Sequence, residues 1–162
     1  MMEKAEEGSR CWLDPMSVPP RFGSIYPAPF GEKLAGREKR ALGNALQLTQ
    51  FGVNLVTLAP GSWSSQRHWH ANEDEFIYVL DGEVTLVTDA GEKVLGPGMA
   101  AGFPAGNPDG HHLVNRSERP ALYLEVGTRA EYEEAHYSDI DMVARKEGGR
   151  FVFTHKNGEP YL

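Results

Sequence analysis

Residues 68–82 read His68-Trp69-His70-Ala71-Asn72-Glu73-Asp74-Glu75-Phe76-Ile77-Tyr78-Val79-Leu80-Asp81-Gly82. Successive side chains of a β-strand alternate faces, so His68 and His70 share one face while Trp69 takes the other. The four residues between His70 and Glu75 allow a short turn into an antiparallel strand, which can bring a carboxylate back beside the two imidazoles. A further imidazole is available downstream at His111 or His112. Neutral imidazole with carboxylate suits Mn, Fe, Ni, Cu or Zn, so the stretch predicts a bound transition metal. It names no reaction.

The flanking sequence reads as short strands punctuated by turns. Residues 51–58 are rich in Val, Leu and Thr and stop at Ala59-Pro60-Gly61, and residues 63–70 and 75–80 follow. Asp81-Gly82, set between two β-rich runs, predicts a type I′ hairpin. Further strands are expected at 83–88, 93–95, 99–103, 111–115 and 121–126, and this many closely spaced strands suggest a sandwich or barrel. Within the last of them Leu122, Leu124 and Val126 share a face and are expected inward, with Tyr123 and Glu125 turned away.

Outside this region the signals are less regular. Residues 1–30 hold Pro15, Pro19, Pro20, Pro27 and Pro29 and read as an irregular arm. Residues 32–48 are expected to form a short helix despite Gly36 and Gly43. Residues 137–143 are expected as a strand, and 151–155 with the Asn157-Gly158 turn as a small closing hairpin. The organisation predicted is an N-terminal arm (1–50) packing on a barrel (51–128), followed by a C-terminal extension (129–162).

At 162 residues the chain has the length of one domain, which can bury about 70% of the surface its unfolded form exposes. Its formal charge of −7 disfavours nucleic acid and anionic membrane as partners. Cys11 is the single cysteine, so no intramolecular disulfide can form. Residues 1–10 lack the apolar core of a signal peptide, and the cytoplasm is the expected compartment.

Two ordered patterns carry a family resemblance. Gly61, six residues, His68, one residue, His70, four residues, Glu75, six residues and Gly82 form the first. Gly98, five residues, Pro104, one residue, Gly106, four residues, His111, three residues and Asn115 form the second. Together they resemble the two motifs of the cupin superfamily, of the small single-domain cupin 2 type. The resemblance implies an all-β double-sheet jelly-roll barrel and a metal held by three histidines and one glutamate, mapped here onto His68, His70, Glu75 and His111.

Two spacings depart from the family pattern. It has five residues before the first histidine and two between the second-motif glycine and its histidine. The extra residues here must sit in a turn or bulge, for which Ser62 and 107–110 are candidates. Adjacent strand residues face opposite ways, so only one of His111 and His112 can reach the ion, and the spacing to Asn115 favours His111. Glu73 and Asp74 are the corresponding competitors of Glu75.

One divalent transition metal per chain (Fe, Mn, Ni or Zn) is therefore the expected cofactor. With one carboxylate its site keeps a charge near +1, which favours an anionic or chelating hydroxy or keto ligand. Gln66 and Ser64 have the parity of the histidine pair. Gln66 is the candidate to orient a substrate. The function expected is a metal-dependent enzyme on a small oxygen-bearing substrate, with dioxygenase-like chemistry ahead of decarboxylase, isomerase or lyase. The alternative is a non-catalytic small-molecule or metal-binding module. Resemblance also implies a homodimer.

Overall fold

A computed structural model describes residues 11–161; residues 1–10, the start of the expected arm, and residue 162 lie outside the described residues. The chain forms β1 (Arg21–Phe22), β2 (Arg37–Ala41), the single helical turn α1 (Leu42–Ala45), β3 (Phe51–Leu58) and β4 (His68–His70). It continues with β5 (Glu75–Asp81), β6 (Val84–Thr88), β7 (Gly91–Leu95), β8 (Ala100–Phe103) and β9 (His112–Val114). The last strands are β10 (Ala121–Thr128), β11 (Glu134–Tyr137), β12 (Val143–Glu147) and β13 (Arg150–Thr154). No described helix is long and apolar enough to cross a membrane.

One layer is a sheet in the order β1-β2-β3-β10-β5-β8, and the other is built from β13-β12-β11-β4 and β7-β6-β9. The two parts of the second layer meet through isolated bridges, His68 with His111 and Trp63 with Val114. Val56, Leu58, Ile77, Val79, Ala121 and Tyr123 of the first layer pack against Val84, Leu95 and Leu113 of the second. Each such side chain contributes roughly 1.5–3 kcal/mol by leaving water. This is the expected jelly-roll, with sheet edges not hydrogen-bonded into a closed barrel.

Several sequence expectations are corrected. Of residues 32–48 only Leu42–Ala45 is α-helix: a 3-10 turn at Glu32–Leu34 leads into β2, which occupies Arg37–Ala41 and runs antiparallel along β3. Pairing with a neighbouring strand outweighs a weak helical preference. Residues expected as part of the arm thus extend the main sheet. Of residues 63–70 only His68–His70 is strand, and residues 64–67 bend. Residues 137–143 are not one strand: Tyr137 ends β11, Val143 opens β12, and residues 138–142 connect them. The terminal hairpin is β12 with β13, and the Asn157-Gly158 turn folds Pro160 back onto Thr154.

Asp81-Gly82 is not a hairpin turn. β5 belongs to the first layer whereas β6 pairs with β7 and β9, so the dipeptide carries the chain between layers. Gly82 alone of the two has a positive φ, +71°, whereas a type I′ turn needs both. The facing expected for β10 is also inverted. Tyr123 is buried in the core between the layers, while Leu122 and Leu124 pack outward against Leu13, Val18, Leu42 and Leu55. Both faces of β10 are covered, so its more apolar face does not mark the interior; the arm covers that face.

A Cβ on Gly82 would lie 2.6 Å from the Pro120 carbonyl oxygen and 2.9 Å from Ala121 Cα, on top of the left-handed strain. Gly61, φ +78°, has open space around it. Gly82→Ala is therefore expected to lower stability by about 2–4 kcal/mol and Gly61→Ala by about 1 kcal/mol in urea unfolding; equal losses would refute the steric argument.

Candidate metal centre

β4, the first residue of β5 and the residue just before β9 bring four side chains together. His68 and His111 are paired through reciprocal backbone hydrogen bonds, N to O at 3.1 and 2.9 Å, so their imidazoles project to the same side. His68 Nε2 lies 3.0 Å from His70 Nε2. Glu75 Oε2 lies 2.8 Å from His111 Nε2, 3.5 Å from His70 Nε2 and 3.9 Å from His68 Nε2. The donor atoms of His68, His70 and Glu75 all fall within 4.8 Å of one another, and His111 joins them through Glu75.

The remaining ring atoms orient the set. His68 Nδ1 is 2.8 Å from the Gln66 carbonyl, which fixes the tautomer that leaves Nε2 with its lone pair toward the cluster. The His111 ring lies flat on Phe103, with centroids 3.5 Å apart and planes 3° from parallel. His70 Nδ1 faces Glu133 Oε1 at 3.6 Å. Glu133 is held in turn by the backbone N–H groups of Ala71 and Asn72, which donate to its carboxylate at 2.9 and 3.1 Å.

The charges are strongly coupled. Burial drives the His68 pKa down to about 3 and keeps that ring neutral, with His70 adding to the effect. Burial also works against charge on His70, but the Glu133 and Glu75 carboxylates outweigh it and push it up to about 10. Burial alone would raise Glu75, yet His111 and His70 hold it well below the usual carboxylate range. Imidazole nitrogens crowded onto a buried carboxylate make a donor set that fits a borderline divalent transition ion.

His112 points elsewhere, its Nδ1 2.9 Å from the Ser65 carbonyl and its ring against Trp63. Glu73 pairs with Lys146 at 2.6 Å, and Asp74 accepts from the Ala105 N–H at 2.8 Å. No local pattern singles out Glu133, one carboxylate in an acidic run, because its placement depends on β11 pairing with β4. Gln66, expected beside the histidines, donates its amide to the Phe30 carbonyl at 2.7 Å and does not line the cavity. Ser64 does line it. Residues 107–110 lie in the loop between β8 and β9, and Ser62 follows the Pro60–Gly61 turn, outside the strands.

The cluster sits on the wall of a cavity of about 760 Å³ between the layers. Ile77, Tyr123, Glu125 and Asn54 form its first-layer wall, and Arg21, Arg37 and Lys39 come from the β1–β2 edge.

A family model for the cupin domain matches residues 54–127. A solved sugar phosphate isomerase of the cupin superfamily from Silicibacter pomeroyi is 48% identical, covering 93% of this chain and 96% of that one, with a TM-score of 0.90. The chain belongs to the cupin superfamily. A structure from Acidithiobacillus ferrooxidans, provisionally named a sugar phosphate isomerase, is 26% identical over 78% of this cupin and 80% of its own chain, with a TM-score of 0.70. The polyketide cyclase RemF from Streptomyces resistomycificus, 23% identical over 79% and 80% with a TM-score of 0.58, shares the fold. No curated protein sequence matches this cupin.

A dication seated in the cluster must displace the His70 proton. Binding is therefore expected to release about one proton per ion near neutral pH and to weaken as pH falls. Calorimetry in buffers of different ionisation heat checks this; zero proton release would contradict it. Glu133→Gln keeps the shape but removes the charge behind His70, and is expected to lower metal affinity about 10- to 100-fold in a chelator competition.

Proposed function

We propose that this cupin is a metal-dependent isomerase of phosphorylated sugars, with His68, His70, Glu75 and His111 as the ligands of one divalent transition ion. The observation that carries the reading is the 48% identical relative named a sugar phosphate isomerase, which matches this chain over nearly its whole length. The site agrees chemically. A sugar phosphate is an anionic, hydroxyl- and carbonyl-bearing ligand, and the cavity places a candidate metal cluster on one wall and Arg21, Arg37 and Lys39 at another edge.

A divalent ion held there would supply Lewis-acid polarisation of a substrate oxygen. The protein groups divide the remaining work. His68 presents its unprotonated Nε2 because the Gln66 carbonyl engages Nδ1. Phe103 covers one face of His111 and limits water beside it. Arg37 is fixed by hydrogen bonds to the Gly23 and Ser64 carbonyls, the latter at 2.6 Å, and so brings a steady positive field to the cavity edge. Moving a carbonyl between neighbouring carbons leaves the substrate's overall oxidation state unchanged, so this reading requires no dioxygen.

The test is NMR of a panel of aldose and ketose phosphates incubated with metal-loaded protein, with oxygen uptake recorded alongside. Interconversion without oxygen uptake is expected, falling roughly 100-fold or more in His68→Ala and Glu75→Gln and little in His112→Ala. Oxygen consumption, or bound metal with no turnover across the panel, would replace the isomerase with the dioxygenase-like or the non-catalytic alternative.

A further inference from the structure

The inner face of β10 carries two polar groups that neither the core nor the metal cluster accounts for. Tyr123 is 1% exposed, and its ring packs in the core. Ser64 lies close enough to act on its hydroxyl, yet that hydroxyl closes no hydrogen bond. A buried hydroxyl without a partner is a standing cost to the fold, and phenylalanine would fill the same space without it. Burial, with Glu125 and Glu75 nearby, raises its ionisation well above the ordinary range, so it stands in the cavity wall as a neutral donor.

Two residues along the same face, Glu125 receives Lys39 Nζ at 2.6 Å and the Asn54 side-chain amide at 2.9 Å. Both reach Oε2, and a carboxylate with four acceptor positions keeps capacity for more donors. The register sets these groups beside the candidate metal cluster. Gly127 of β10 stands opposite Glu75 and Glu125 opposite Ile77, so Glu125 is one diagonal step from Glu75, about 7–8 Å between Cα atoms. Tyr123 is a further two residues, about 7 Å, along the strand.

We infer that Tyr123 and Glu125 form a hydroxyl-binding subsite that holds the carbon chain of a sugar phosphate beside the metal cluster. Tyr123 donates to a substrate oxygen and Glu125 accepts from substrate hydroxyls, while Lys39 and Asn54 fix the carboxylate. The two groups are spaced for a chain of several hydroxylated carbons, and the cavity has the volume of a small-molecule site. The inference rests on the isomerase reading for the class of ligand and adds the residues that recognise it.

Sorbitol 6-phosphate tests it, because this polyol phosphate has no carbonyl to be isomerised and reports binding apart from turnover. Calorimetry on the full-length, metal-loaded protein is compared with inorganic phosphate as the reference ligand. Wild-type protein is expected to prefer sorbitol 6-phosphate. Tyr123→Phe should weaken that ligand about 3- to 10-fold and Glu125→Gln about tenfold, with inorganic phosphate unchanged. Ligand-free Tyr123→Phe should melt at the same temperature or higher, which separates lost recognition from lost folding.

The subsite is refuted if wild type does not bind sorbitol 6-phosphate, if it binds inorganic phosphate equally well, or if Tyr123→Phe binds as wild type does. Tyr123-dependent binding without isomerisation of any sugar phosphate would keep the subsite and remove the isomerase reading. Isomerisation with Tyr123-independent binding would do the reverse.

Discussion

Two backbone hydrogen bonds between His68 and His111 hold the arrangement on which the centre depends. β4 belongs to the ladder of β11, β12 and β13, and β9 to that of β6 and β7. The His68–His111 bridge, with Trp63 and Val114 beside it, joins these ladders into one layer. Because directly paired residues point to the same side, the joint that completes the layer also aligns two imidazoles. Glu75 approaches from the opposite layer, and its contacts to His68, His70 and His111 cross between the layers at a buried, polar place.

That position explains why His68 and His70, one residue apart but with different outer partners, behave in opposite ways. His68 is enclosed, with a backbone carbonyl as its outer partner, and desolvation keeps it neutral. His70 has a carboxylate on each side, Glu75 and Glu133, and is driven toward the charged form. Glu133 itself is fixed by two backbone N–H groups from the turn after β4. Strand pairing, turn geometry and imidazole chemistry are thus parts of one structure, in which β11 supports β4 both by its ladder and through the carboxylate that precedes it.

The same alternation rule that put His68 and His70 on one face misread β10. Alternation separated Leu122 and Leu124 from Tyr123 and Glu125 correctly, but the assumption that the apolar set faces the interior reversed them. The interior here is a polar cavity at one end, and the outer face is covered by Val18, Leu13 and Leu42 from the N-terminal segment and α1. The hairpin expected at Asp81-Gly82 failed for a related reason. Turn residues report local φ and ψ, whereas which sheet the next strand joins depends on partners distant in sequence.

The sequence by itself determined the class of the fold, the strand β3 to its end residues, and the facing of His68 and His70, because alternation and turn chemistry are local properties of the chain. Motif spacing also singled out Glu75 and favoured His111 over His112, and the structure turns those two side chains toward each other. Tertiary structure alone decided that residues 37–41 extend the main sheet, that Glu133 stands behind His70, and that Tyr123 and Glu125 line the cavity. Each of these depends on pairing or packing between segments far apart in the chain, which a local pattern does not encode.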